Sequence, residues 1–301
     1  MGKRKSESMQ AIGCIGFILI FLTSFGLNAK LVCPKFSEAE KLDRLEYFEP
    51  EGFSAQDKKH FIVLLPGLNY NPKASEQMIS ELLEHNVAVF NVFLYGARDE
   101  NFEPSLLLPN QWIETVLKSF CMVDLLSSTQ KAKWSILAYS MGGLYSEINL
   151  QKYSSSFTNL DKVMYIAPAL NLNFSMATLL NLRKIMGRNW WIPNFNLENY
   201  RAKAFTSIAE YDEFATMYDL YQKMDKTVLM IPTILVKSPR DELINSDGVL
   251  KELHLHRETL FDIDLKKSKR GTVGKYHLLV DQQSLGPDWE HMQFQLKFLA
   301  Q

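Results

Sequence analysis

Five short apolar runs, each closed by a turn signal and separated by stretches of helical spacing, constrain this chain more than any other feature. Phe61-Ile62-Val63-Leu64-Leu65 reaches Pro66-Gly67 without a polar interruption. A strand solvated on one face would alternate polar and apolar residues, so an unbroken run of this length fits a strand covered on both faces. Residues 87–94, 134–138, 162–167 and 233–237 read as further strands of this kind. Between them, Met78, Ile79, Leu82 and Leu83 form one helical stripe, with Glu76, Glu81 and Glu84 off it. Trp112, Ile113, Val116, Leu117 and Phe120 form another, with Asn110 as its expected cap, and a last helix turns Trp289, Met292, Leu296 and Leu299 inward. Strand and helix alternating in this order predict an α/β fold with a mostly parallel central sheet and helices on both faces. A chain of 301 residues, 47% of them hydrophobic, can bury such a core.

The first residues are set apart from that pattern. Lys3, Arg4 and Lys5 precede an uncharged apolar stretch over 11–27, and Leu27-Asn28-Ala29 offers a small residue where a signal peptidase could cut. The stretch lies between a long signal-peptide core and the roughly 20 residues of a membrane span. Residues 1–29 are therefore expected to be a signal peptide or a retained N-terminal membrane anchor. The order of charges places the rest of the chain outside a bacterial inner membrane, periplasmic or membrane-anchored. Cys33 raises a lipoprotein reading, against which stands Val32, because the residue before a lipidated cysteine is small.

Charge and cysteine content exclude other classes. Lys plus Arg number 33 and Asp plus Glu 34, whereas a groove that neutralises many phosphates needs a basic excess, so no nucleic-acid partner is expected. Cys14, Cys33 and Cys121 are too few and too scattered for a disulfide framework or a structural zinc site. No metal is expected.

One segment breaks the alternation. Residues 171–228, about sixty in all, exceed what one covering helix needs, and they carry helical patterning, many aromatics and the pair Trp190-Trp191. Their place after a strand, where such sheets bind ligands, predicts a helical cap over a pocket. The core is then expected in two parts, 30–170 and 229–301.

The strongest chemical signal is Ala138-Tyr139-Ser140-Met141-Gly142-Gly143, directly after a predicted strand and before a predicted helix. A serine exposed on so sharp a turn needs small neighbours, because larger side chains would collide with the backbone. Here the chain resembles the α/β-hydrolase superfamily, whose elbow reads G-x-S-x-G, with Ala138 in place of the first glycine. The resemblance implies a nucleophile at Ser140, then an acid, then a histidine. Asp241 fits the acid, in the turn Lys237-Ser238-Pro239-Arg240-Asp241 after the fifth strand, with Glu242 beside it as a second possibility. His277, in Tyr276-His277-Leu278-Leu279-Val280-Asp281 ahead of the last helix, fits the histidine loop. His60, His85, His254, His256 and His291 are expected at solvated surface positions.

The same resemblance places backbone oxyanion donors at Leu68, in Pro66-Gly67-Leu68-Asn69-Tyr70-Asn71-Pro72, and at Met141, whose position at a helix start adds a positive dipole end. Pro66 stands where the superfamily carries histidine, which leaves the backbone donor but removes side-chain support for the loop. Ile166-Ala167-Pro168-Ala169-Leu170 followed by a cap resembles the branch of monoacylglycerol lipases, lysophospholipases and serine aminopeptidase-like proteins. The resemblance implies a serine hydrolase that cleaves carboxylic esters through an acyl-enzyme on Ser140, with lipid esters such as monoacylglycerols or lysophospholipids as substrates and no cofactor. Two alternatives stay open. One is a peptidase of the aminopeptidase-like type, with Glu210, Asp212 and Glu213 holding a substrate amino terminus. The other is a catalytically silent binding protein of the same fold, which would be expected to have lost a residue of the triad.

Overall fold

The computed structural model describes residues 33, 45–51, 60–96, 102–194, 196–265 and 275–301. The signal peptide or anchor expected over 1–29, with its expected cleavage point near Ala29, lies outside them. Among the described residues no helix is long and apolar enough to cross a membrane.

A seven-stranded sheet organises the chain. In chain order its strands are β1 (Leu45–Phe48), β2 (His60–Leu65), β3 (Val87–Val92), β4 (Lys133–Tyr139), β5 (Leu160–Ile166), β8 (Thr233–Lys237) and β9 (Leu260–Asp264). They lie side by side as β1-β3-β2-β4-β5-β8-β9. Only β1 runs antiparallel to its neighbour. In β2 the two-residue period sends Phe61, Val63 and Leu65 into one hydrophobic core and Ile62 and Leu64 into the other, on opposite faces of the sheet. This is the burial that the unbroken apolar run demands, and each fully buried side chain of this size contributes about 1.5–3 kcal/mol.

Two edge strands were not legible as runs. β1 interposes Glu46 and β9 carries Asp262 and Asp264. Edges tolerate and even favour charge because it discourages pairing with another sheet. On β9 the two carboxylates are held by Lys237 Nζ of β8, 3.2 Å and 3.0 Å away.

The helices follow their apolar stripes. Met78, Ile79 and Leu82 are buried on α1 (Glu76–Glu84) and Trp112, Val116 and Phe120 on α2 (Gln111–Gln130). Asn110 corrects the expected cap: its backbone is left-handed at φ 65° and its side chain makes no capping bond. Helix α3 (Met141–Tyr153) is buried almost from end to end, and its Glu147 meets an equally buried Arg257. Arg257 donates to both Glu147 oxygens, to Oε1 at 3.1 Å, and through Nε to Thr233 Oγ1 at 2.8 Å, while Tyr165 Oη donates to Glu147 Oε2 at 2.7 Å.

The cysteine reading also needs correction. Cys33 and Cys121 form a disulfide across 88 residues of sequence. Cysteines so far apart give no spacing signal, because their proximity is created by the fold itself. The bond removes Cys33 from consideration as a lipidated residue.

The long crossover is not wholly helical. It holds α4 (Phe174–Leu182), a two-stranded antiparallel ribbon of β6 (Trp191–Pro193) and β7 (Phe205–Ser207), and α5 (Ile208–Lys223). Ser207 starts α5 with a capping box, its hydroxyl accepting the Glu210 N–H while Glu210 accepts the Ser207 N–H. The chain then returns through β8 to α6 (Ser246–His256), and ends in a short α7 (Gln282–Leu285) and α8 (Trp289–Ala300), on which Trp289, Met292, Leu296 and Leu299 are buried.

Candidate active site

Ser140 sits between the last residue of β4 and the first of α3, with φ 52° and ψ −114°. A non-glycine residue rarely adopts positive φ, and the surroundings must hold it there. Ser140 N–H donates to Ile166 O at 2.9 Å, and Ser140 O accepts from Gly143 N–H at 3.0 Å and Ala169 N–H at 2.9 Å. The two glycines answer to crowding. A Cβ on Gly142 would lie 2.8 Å from the carbonyl oxygens of Leu65 and Pro66, and one on Gly143 would lie 2.5 Å from Pro168 Cβ. Ala138 is fully buried in the hydrophobic core, so its methyl group is accommodated.

The residues singled out along the sequence converge on this serine. His277 Nε2 is 2.9 Å from Ser140 Oγ and His277 Nδ1 is 2.8 Å from Asp241 Oδ2. A carboxylate only accepts, so Nδ1 carries the proton and Nε2 is left to accept from the serine hydroxyl. Asp241 is fixed from its other oxygen, Oδ1, which accepts the N–H groups of Leu243 at 2.8 Å and Ile244 at 2.9 Å. Asn173, just ahead of α4, donates to the carbonyls of Asp241 and Ile244 at 2.8 Å and 3.1 Å.

Glu242 has a separate role. Its Oε2 accepts the N–H groups of Tyr276 and His277, both at 3.0 Å, so it clasps the histidine loop instead of facing the imidazole. Tyr139 Oη adds a 3.2 Å bond to His277 O. Neither contact has a sequence signal, because each joins segments more than thirty positions apart. Of the other histidines, His254 and His291 are exposed as expected. His60 is not a solvated residue: it is half-buried, with Nε2 2.9 Å from Ser135 Oγ, and burial pushes its pKa down to about 4. It packs at the start of β2, away from the turn that carries Ser140.

A cavity of about 310 Å³ opens at Ser140 and His277. Leu68 and Met141, the expected oxyanion donors, both line it, as do Leu172, Met176, Leu179, Ile192, Phe214 and Leu243. Gly67 lies against the elbow, since a Cβ there would come within 3.2 Å of Ser140 Cβ. The wall is largely apolar, and the crossover contributes Leu172, Met176, Leu179, Ile192 and Phe214 to it. Its polar members include Asn194, Asn196, Glu242 and Lys275. Among the described residues no cluster of His, Cys, Asp and Glu could hold a metal ion.

Glu210, Asp212 and Glu213 do not line this cavity. Glu210 is buried in the capping box and accepts from Lys203 Nζ at 2.7 Å, and Asp212 pairs with Arg183 at 3.3 Å and Arg188 at 3.6 Å. Glu213 accepts the Asn110 N–H at 3.2 Å, and burial pushes its pKa up to about 7. The acidic run is engaged with Lys203, Arg183, Arg188 and the Asn110 N–H and not with the cavity, which corrects its expected role in holding a substrate amino terminus.

No protein-family model and no curated protein matches the chain. Solved structures do match its fold. One of the two metagenome-derived lipolytic enzymes LipS and LipT superposes with a TM-score of 0.62 at 14% identity, over 84% of this chain and 96% of the other. A soluble variant of monoglyceride lipase from Saccharomyces cerevisiae, in complex with a substrate analogue, gives 0.63 at 10% identity, over 84% and 90%. Monoacylglycerol lipase from Paleococcus ferrophilus gives 0.59 at 16% identity, over 85% and 97%. At these identities the likeness is one of architecture.

Proposed function

We propose that this chain, which has the α/β-hydrolase fold, is a serine hydrolase of carboxylic esters whose substrates are lipid esters such as monoacylglycerols or lysophospholipids. The observation that carries the proposal is the unbroken path from Ser140 Oγ through the His277 ring to Asp241, at the floor of a largely apolar cavity. In this reading Ser140 Oγ attacks the acyl carbon while its proton passes to His277 Nε2, and Asp241 stabilises the imidazolium that forms. The carbonyl oxygen takes the negative charge, facing the backbone N–H groups of Leu68 and Met141. Collapse breaks the bond to the alkoxy group, which leaves with the proton from His277. Water then attacks the acyl-enzyme by the same route, releasing the acid and free Ser140. The lipolytic enzymes that share the fold are consistent with ester cleavage, and the apolar wall favours an acyl chain.

The wall makes a graded expectation. Each methylene that the cavity removes from water is worth about 0.8 kcal/mol, a factor of roughly four in kcat/KM if the gain persists in the transition state. Across a series of p-nitrophenyl esters, kcat/KM is expected to rise from acetate toward medium-length acyl groups. A profile that is flat or falls beyond the two-carbon acyl group would remove the lipid-ester reading. Faster cleavage of aminoacyl amides than of any ester in the same panel would replace it with a peptidase.

We also propose that the chain is exported from a bacterial cytoplasm and works in the periplasm or tethered to the membrane. The leader motivates this, and the Cys33–Cys121 disulfide supports it, because such bonds form and persist in oxidising compartments. In protein recovered from the cells that make it, Cys33 and Cys121 are expected to resist alkylation under denaturing conditions until a reductant is added. Recovery of the intact chain from the cytoplasm with both thiols free would overturn the proposal.

A further inference from the structure

Pro66 has no polar side chain with which to hold the loop that carries Leu68, and that loop is held from the crossover. Asn69, the next residue along, is 7% exposed and has a left-handed backbone at φ 49°. A turn asparagine in that conformation commonly turns its side chain to nearby backbone or to water. This one spends its amide on the crossover more than a hundred positions away. Nδ2 donates to Thr206 Oγ1 at 2.8 Å and to the carbonyls of Lys203 and Phe205 at 3.0 Å and 3.3 Å, while Oδ1 accepts the Lys203 N–H at 2.8 Å. Both amide protons and the amide oxygen are thereby used on one short segment leading into β7.

The neighbouring backbone follows the same seam. Asn69 O accepts the Ala202 N–H at 3.0 Å, Asn71 N–H donates to Tyr200 O at 3.2 Å, and Asn71 Nδ2 donates to Asn199 O at 3.0 Å. Tyr200 in turn donates through its hydroxyl to Asp281 Oδ2 at 2.9 Å, on the chain that leaves the histidine loop. Loop 67–71 therefore has its far side stitched to the crossover and its near side, at Gly67, pressed on the elbow. Thr206, the direct partner of the Asn69 amide, lines the same cavity as Leu68.

We propose that Asn69 is a positioning residue for the oxyanion hole: through its side-chain amide it locks the loop bearing the Leu68 N–H to the segment leading into β7, so that the donor is in place only when the crossover is seated. This rests on the hydrolase reading above. The lock joins two things kept separate in the sequence, the closure of the pocket and the stabilisation of the developing oxyanion. A misplaced donor weakens an interaction that reaches full strength only in the transition state, so its loss falls on kcat and not on substrate affinity.

Asn69→Gly tests this cleanly, because glycine keeps the left-handed backbone and deletes only the amide. Loss of a whole oxyanion donor costs about 100- to 1,000-fold in kcat, so partial displacement is expected to cost roughly 10- to 100-fold, with KM within about threefold. Binding of an alkyl trifluoromethyl ketone, whose adduct carries the oxyanion, is expected to weaken by the same factor as kcat/KM. Asn69→Asp keeps the acceptor for the Lys203 N–H and loses the donors. It is expected to show the same split and provides the measurement if the glycine variant does not fold. Wild-type kcat and ketone affinity accompanied only by a lower melting temperature would make Asn69 a structural brace and overturn the proposal, as would a rise in KM at unchanged kcat. Ser140→Ala, measured alongside, separates the two levels. Retained turnover in that variant removes the hydrolase reading itself, whereas an inactive Ser140→Ala beside an unimpaired Asn69→Gly removes only this inference.

Discussion

Replacing Ser140 by alanine is expected to lower ester kcat by about 10⁴- to 10⁶-fold and to abolish labelling by a fluorophosphonate probe. The size follows from the arrangement. In the proposed mechanism the hydroxyl and the imidazole act as one unit, so removing either would leave only the oxyanion donors and substrate binding, which together retain about 10³- to 10⁴-fold over water. His277→Ala is accordingly expected to fall to nearly the level of Ser140→Ala, and the double variant to be little worse than either. Asp241→Asn should cost about 10⁴-fold, because the amide cannot hold the Nδ1 proton as the carboxylate does. Turnover on a short-chain ester, with mass mapping of the probe, measures all of these. Labelling at any other serine, or wild-type turnover in Ser140→Ala, would remove Ser140 as the nucleophile.

The second large effect is expected on stability, away from the cavity. Glu147 and Arg257 are both fully buried, and each satisfies the other. Taking a single partner away leaves a charge in the interior with nothing to balance it, a loss of about 3–5 kcal/mol. Arg257→Met and Glu147→Gln should each lower the urea midpoint accordingly, while the pair Glu147→Leu with Arg257→Met should recover most of the loss. Acid has a defined direction here. Burial raises the Glu147 pKa, but the charge of Arg257 and the hydrogen bonds from Arg257, Gln151 and Tyr165 outweigh it and hold the carboxyl below its ordinary value. Glu147 therefore contributes its full stabilisation above the carboxylate pKa of the unfolded chain, roughly 4.3, and loses it as pH falls through the lower folded value. In Glu147→Leu with Arg257→Met that share of the acid sensitivity should be missing. A single-charge variant as stable as wild type would contradict the network.

Much of the architecture was legible because a doubly covered strand has few alternatives. The apolar runs at 61–65 and 233–237 end where β2 and β8 end, and the stripe Trp289, Met292, Leu296 and Leu299 is the buried face of α8. Edge strands carry no such signature: β9 needs only partial burial and admits two aspartates. Ser140 could be named because it sits in a turn directly after a strand, and Asp241 and His277 because the resemblance places an acid in the turn after the fifth strand and a histidine ahead of the last helix. Their supports could not. Asn69, Asn173, Glu242 and Tyr139 act through contacts between distant segments, and by local sequence an asparagine or a glutamate in a loop is a turn-former or a solvated charge. The disulfide belongs to the same class, since nothing near Cys33 or Cys121 announces the other. The acidic run in α5 misled for the converse reason: spacing shows that charges cluster, while the side of the helix facing the cavity is decided by packing.

The crowding around the elbow has a meaning for how such a chain can vary. A methyl group before the serine, at Ala138, finds room in the core, whereas the same group at Gly142 would strike two carbonyl oxygens at 2.8 Å. Backbone atoms at that distance cannot rotate aside as the end of a flexible side chain can. A lineage can therefore trade glycine for alanine ahead of Ser140 and keep the turn, while the same one-carbon step two positions beyond it is barred. The pentapeptide is permissive at its first place and closed at its last, and a sequence that drifts far from its relatives can be expected to drift through the first.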